Sequence, residues 1–190
     1  AHGVIHRDIK PANVLFDDSE RPVLSDFGLA KEVVPISATG SIDPIAGTPA
    51  YMAPEQLKLS VSRIDPRTDI YGLGATMYQM LTGHPPFRGS FEQVLHQVSI
   101  GNPASPDEVN PSIPKRLAEI CRKAMAYDMS DRYPSAAHMR NDLEDFLEVI
   151  QSPSGLLGEQ RQLSESALGI GDRKSTRLNS SHTVISYAVF

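Results

Sequence analysis

The sequence has a single cysteine, Cys121, in 190 residues. That excludes an intramolecular disulfide framework and suits a reducing cytosol. It lacks any apolar run near the roughly 18 residues that a membrane span needs. The most apolar stretch, Ile70 to Leu81, is interrupted by Gly72, Gly74, Thr76 and Gln79. No Lys/Arg-rich block is present: 18 basic residues against 23 acidic ones leave a net charge of −5, which argues against a nucleic-acid-binding surface. His2, His96 and His138 have no metal-ligand companions. Neither a signal peptide nor an initiator Met precedes the first polar motif, so the chain reads as a fragment opened mid-gene. Hydrophobic residues make up 40% of the chain, enough for a packed domain rather than a disordered polyampholyte.

The punctuation predicts the order of elements. Val14-Leu15-Phe16 and Val23-Leu24 flank the polar segment Asp17 to Pro22 and read as two strands joined by a turn. Residues 29–50 show no periodicity and read as a long functional loop. Thr68 to Leu81 predicts a helix apolar on most sides, hence buried. Ser90 is placed to cap a helix carrying Val94, Leu95 and Val98. Residues 101–114, with four prolines, read as loop. Pro114 opens a helix with Leu117, Ile120, Cys121, Ala124 and Met125 on one stripe, and Ser135 opens a last helix with Met139, Leu143, Phe146, Leu147 and Ile150. Cys121 on its apolar stripe reads as inert core. The fold expected is α+β and mainly α-helical, with a short β-hairpin.

The end of the chain is set apart. Residues 151–171 are rich in Ser, Gly and Gln and read as a linker. Residues 172–190 resemble the translation of a common short-read sequencing adapter, with Thr183 and Val184 falling where its index would sit. This tail is read as non-native and left out of the fold argument. It carries a net +2, so the preceding residues sum to −7.

The chemistry concentrates in three ordered motifs. His6-Arg7-Asp8 is followed by Ile9-Lys10-Pro11-Ala12-Asn13, then by Asp26-Phe27-Gly28, then by Ala53-Pro54-Glu55. Singly, each triplet is weak; in this order, with four residues between Asp8 and Asn13, they are specific. The chain resembles a protein kinase of the Ser/Thr type over residues 1–150, and specifically its C-terminal lobe, with the N-terminal lobe missing. Phosphoryl transfer asks for positioning and charge neutralisation rather than covalent work. By the resemblance, Asp8 orients the substrate hydroxyl and accepts its proton. Lys10 lies near the transferring phosphate. Asn13 and Asp26 supply oxygen ligands to Mg²⁺, and Leu15 forms the floor of the adenine pocket of ATP. Thr48, in Gly47-Thr48-Pro49-Ala50-Tyr51-Met52, matches the residue whose hydroxyl bonds the catalytic Asp and Lys. With Lys10, it points to Ser/Thr hydroxyls of proteins as acceptors.

The resemblance also implies regulation and scaffold. Arg7 beside the catalytic Asp goes with switching by activation-loop phosphorylation, because a phosphate pairs with Arg and orders the loop. Ser37, Thr39 and Ser41 are the candidate acceptors, and each is equally readable as an exposed loop hydroxyl. Asp69 matches a buried aspartate that bonds the backbone of the His-Arg-Asp segment; a first-turn Asp favoured by the helix dipole is the other reading. Glu55 and Arg132 match an ion pair tying the activation segment to the lower lobe; two unrelated surface charges are the bland reading. His6 and Phe27 match a hydrophobic regulatory spine, and Gly28 completes the second motif.

With no match to a Gly-rich loop or strand Lys, the fragment is expected to expose apolar surface and to be inactive without its missing lobe. The sequence around Ala53-Pro54-Glu55-Gln56 looks like a bacterial kinase of the eukaryotic-like type. A cytoplasmic location is expected, free or as the cytoplasmic domain of a membrane-anchored kinase, with no membrane contact by this segment. The rival reading is a pseudokinase-type binding or scaffold module, which loss of Asp8, Asn13 or Asp26 would have favoured. A small-molecule kinase of the aminoglycoside phosphotransferase type is disfavoured by His6-Arg7-Asp8-Ile9-Lys10 and by Ala53-Pro54-Glu55.

Overall fold

The structure, a computed structural model, describes residues 4–26, 49–57 and 64–152. Strand β1 (Val14–Phe16) pairs antiparallel with β2 (Pro22–Leu24), in the register Val14↔Leu24, Leu15↔Val23 and Phe16↔Pro22. The turn between them is built on Asp17, whose carboxylate accepts the Ser19 and Arg21 amides at 2.9 and 3.0 Å. Acidic, hydroxyl-bearing sequence therefore makes the hairpin by giving its turn a side-chain acceptor.

The α-helices among the described residues are α1 (Arg67–Thr82), α2 (Phe91–Ile100), α3 (Pro106–Val109), α4 (Lys115–Ala124) and α5 (Ala136–Gln151). Helix α2 starts on a reciprocal capping box: the Gln93 amide donates to Ser90 Oγ, and the Ser90 amide donates to Gln93 Oε1. Residues 101–114 are not loop throughout. Ser105 and Glu108 form a second capping box that starts α3, a single turn opened by Pro106. The prolines obscured this turn because Pro is compatible with a first helical position. At α5 the cap differs from expectation: Ser135 makes no capping bond to the helix and pairs its Oγ with His138 Nδ1 at 2.8 Å.

The core is a helix-on-helix layer. Tyr71 of α1, Leu117, Ile120 and Cys121 of α4, Leu143 of α5, and Tyr133 before it are all at most 1% exposed. Gly74 makes the α1–α4 contact possible, since a Cβ there would sit 2.8 Å from both Ala124 Cβ and Met125 Cγ. Cys121 is inert core: its thiol donates to the Gly74 carbonyl, and burial pushes its pKa up. A smaller apolar cluster of Ala50, Phe87, Val94 and Val98 seats α2 against the Pro49–Tyr51 turn. Among the described residues no helix is long and apolar enough to cross a membrane.

The hairpin sits apart from this core. Leu15 and Phe16 are each 54% exposed and Val23 49% exposed. The segment before it touches α1 closely: a Cβ on Gly72 would lie 3.0 Å from Ile9 Cβ and 3.1 Å from the Ile9 carbonyl. Gly72 thus lets the loop carrying Asp8 lie on the central helix.

Candidate active site

Residues 6–13 are held in place by side chains from far along the chain. In the first turn of α1, Asp69 accepts the His6 amide on Oδ2 and the Arg7 amide on Oδ1, both at 2.8 Å. His6 is buried, and its Nε2 lies 2.8 Å from the Ser25 carbonyl, which ties this loop to the end of β2. Arg7 adopts a left-handed backbone, φ +67°. A non-glycine residue holds that conformation only when its surroundings over-determine it.

The surroundings do so from both sides. The Arg7 amide is bound by Asp69, and its carbonyl accepts Gln56 Nε2 at 2.8 Å.

The acidic and amide groups converge just beyond. Lys10 Nζ donates to Asp8 Oδ2 at 2.9 Å and to Oδ1 at 3.2 Å. Asn13 Nδ2 donates to the Asp8 carbonyl at 2.8 Å and to Asp8 Oδ2 at 3.1 Å. Asn13, buried at the end of the Pro11–Asn13 turn, spends its amino group on Asp8. Its Oδ1 has no protein partner among the described residues. Across the hairpin, the Ser25 amide donates to the Asn13 carbonyl at 2.9 Å, and Ser25 Oγ bonds the same carbonyl at 3.2 Å. Ser25 Oγ also reaches Asp26 Oδ2 at 3.5 Å. Asp26 is exposed and left-handed, φ +59°, a conformation aspartate tolerates better than most residues. The β1–β2 pairing therefore brings Asn13 and Asp26 to one end of the hairpin, beside Asp8 and Lys10.

A second polar centre lies beneath. Arg132 is buried and satisfies all five of its guanidinium N–H donors. Its Nη1 and Nη2 grip Glu55 Oε1 and Oε2 at 2.7 and 2.8 Å. They also donate to the Arg67 and Tyr127 carbonyls, while Nε donates to the Ala126 carbonyl at 2.7 Å. Thr68 Oγ1 adds a 2.8 Å bond to Glu55 Oε1. Burial alone would raise the Glu55 pKa. The Arg132 hydrogen bonds and charge outweigh it and hold the carboxyl below its usual 4.5. This is a buried, bidentate pair, not two surface charges.

The remaining candidates divide simply. Leu15 is on the exposed hairpin and Arg7 is exposed. Phe27, Gly28, Ser37, Thr39, Ser41 and Thr48 lie outside the described residues. Three supporting residues were not singled out from the sequence: Gln56, Thr68 and Ser25. Each acts on a backbone group or side chain remote in sequence, or across a turn, so no local pattern signals it.

A model of the protein kinase domain matches residues 1–143 of the chain. The chain belongs to the protein kinase domain family. Similar members include the serine/threonine-protein kinase PknL of Mycobacterium tuberculosis, 38% identical over 152 residues, covering 80% of this chain and 37% of PknL. The probable serine/threonine-protein kinase PknB of Bifidobacterium longum is 35% identical over 147 residues, covering 76% of this chain and 21% of PknB. The DNA damage-responsive serine/threonine-protein kinase RqkA of Deinococcus radiodurans is 39% identical over 140 residues, covering 72% of this chain and 20% of RqkA. This kinase-family chain thus spans between about a fifth and two-fifths of the lengths of these relatives. A crystal structure of Rad53 residues 1–466 in complex with AMP-PNP superposes with a TM-score of 0.55 at 28% identity, covering 72% of this chain and 33% of that one. Among the described residues, the mainly helical architecture with a two-stranded antiparallel sheet is that of a partial protein-kinase fold.

Proposed function

We propose that the protein carrying this chain is a Ser/Thr protein kinase that transfers phosphate from Mg-ATP to Ser or Thr hydroxyls of proteins. The observation that carries the reading is the convergence of Asp8, Lys10 and Asn13 through direct hydrogen bonds, with Asp26 joined to Asn13 through Ser25. The names of the similar bacterial proteins support the same reading.

Asp8 is the base. It accepts the proton of the acceptor hydroxyl as that oxygen bonds the terminal phosphorus and the bond from phosphorus to the bridging oxygen breaks, releasing ADP. Lys10 and Asn13 fix the carboxylate from two directions, so it meets the hydroxyl already oriented. The Lys10 ammonium also offsets charge that builds on the phosphate oxygens. The donor chemistry fits Mg²⁺: one amide oxygen on Asn13 and an exposed carboxylate on Asp26 form a hard-oxygen set that leaves positions for substrate phosphates. When bound there, Mg²⁺ neutralises phosphate charge. Leu15, exposed on the hairpin, is assigned to the adenine contact, and Thr48 to the Asp8–Lys10 pair.

Arg7 is assigned as receiver of a phosphate carried by Ser37, Thr39 or Ser41. His6, Phe27, Gly28, Asp69, Glu55 and Arg132 are assigned to scaffold. Residues 1–150 are read as the C-terminal lobe, 151–171 as a linker and 172–190 as a non-native tail, in a cytoplasmic setting with no nucleic-acid partner. The test is the product. The full-length gene product, given Mg-ATP and a protein acceptor, is expected to yield phosphoserine or phosphothreonine. Exclusive phosphotyrosine, or phosphate on small molecules only, overturns the assignment.

A further inference from the structure

We infer that Gln56 is a positioning residue for Asp8: its side-chain amide fixes the peptide unit that carries the base. The inference rests on the kinase reading above and adds a residue to it.

Gln56 is 6% exposed, and both ends of its amide are used. Oε1 accepts the Ala53 amide at 2.9 Å and Nε2 donates to the Arg7 carbonyl at 2.8 Å. That carbonyl belongs to the peptide linking Arg7 to Asp8. The N–H of the same peptide donates to His6 Nδ1 at 3.3 Å, a long bond. The short bond from Gln56 is therefore the firmer of the two holds on this unit.

The conformation being held is a costly one. Arg7 stands at φ +67°, where a Cβ-bearing residue is disfavoured. Asp69 holds the peptide on the N-terminal side of Arg7, and Gln56 the peptide on the C-terminal side. Releasing the second frees the Arg7 ψ and Asp8 φ torsions. Those torsions set where the Asp8 carboxylate points relative to Lys10 and Asn13.

Gln56 is next to Glu55, which Arg132 locks to the helical core. Movement of the 53–57 segment would thus reach Asp8 through one buried amide. The link is one hydrogen bond from the 53–57 segment to the peptide that carries the base.

The test uses two variants of the full-length gene product. Gln56→Glu keeps the acceptor for Ala53 but sets a carboxylate oxygen against the Arg7 carbonyl; Gln56→Met removes both bonds at nearly constant volume. Both are expected to lower kcat by about 10- to 100-fold while KM for ATP stays within about twofold.

The Gln56→Glu enzyme carries a signature that a general packing role would not produce. As pH falls and the introduced carboxyl gains a proton, it again has a donor for the Arg7 carbonyl, so its rate relative to wild type rises. In the same proteins, hydrogen exchange at the Asp8 amide is expected to speed up in both variants. This arm reads the positioning even if the wild type transfers no phosphate, an outcome that would overturn the kinase reading separately. Folded variants with wild-type kcat and an unchanged Asp8 exchange rate would overturn the inference. So would a Gln56→Glu rate that tracks wild type at every pH.

Discussion

The helical core and the hairpin with its preceding loop are built on opposite principles. In the core, α1, α4 and α5 supply apolar side chains that bury one another, and Tyr71, Cys121 and Leu143 are sealed from water. In the hairpin, Leu15, Phe16 and Val23 stay about half exposed, and the loop before it is placed by polar contacts to Asp69, Gln56 and Ser25. The first region supplies stability, which scales with apolar area removed from water. The second supplies geometry, which directional hydrogen bonds set better than packing does. That less buried region relies on remote side chains to hold its polar groups in place.

The comparison breaks most visibly at the polar link beneath the two regions. Arg132→Ala leaves Glu55 buried without its partner and is expected to cost about 3–5 kcal/mol in chemical denaturation. Replacing both members with apolar residues of similar volume is expected to cost much less. Equal losses in the single and double variants would mean the pair is not a compensated buried charge.

Core and hairpin can next be set directly against each other. Leu143→Ala is expected to lose about 2–5 kcal/mol, because it opens a cavity in a sealed layer. Phe16→Ser is expected to stay within about 0.5 kcal/mol, because the ring is already half in water. Similar losses at the two sites would erase the distinction drawn here.

The smallest effect is the response to acid. The Glu55 carboxyl titrates below its usual 4.5 in the folded protein, because Arg132 outweighs burial. A depressed folded pKa adds stability above the unfolded value, and that stability is lost as pH falls through the lowered one. The fall in unfolding free energy between about pH 5 and about pH 3 is therefore expected to be shallower in Glu55→Gln than in wild type. Identical slopes would remove Glu55 from the acid response.

These regions also differ in how far they can be read from residues alone. The helices were legible because burial imposes a three-to-four spacing, plain at Leu117, Ile120, Cys121 and Ala124. The hairpin was legible through its acidic turn. Helix α3 was hidden by prolines that permit a first turn as readily as a loop. At the site, motif order named Asp8, Lys10, Asn13 and Asp26, and in the structure Lys10 and Asn13 both hydrogen-bond Asp8. Gln56 and Thr68 were not legible. Their partners, the Arg7 carbonyl and Glu55, lie in other segments, and a buried amide or hydroxyl leaves no periodic trace.

The most direct measurement is the rate of phosphate transfer to a protein acceptor by the full-length gene product, wild type against Asp8→Asn. The asparagine preserves size and polarity but cannot take the hydroxyl proton. A fall in kcat of about 100- to 10,000-fold is expected, with ATP binding retained. Equal rates in the two proteins would contradict it.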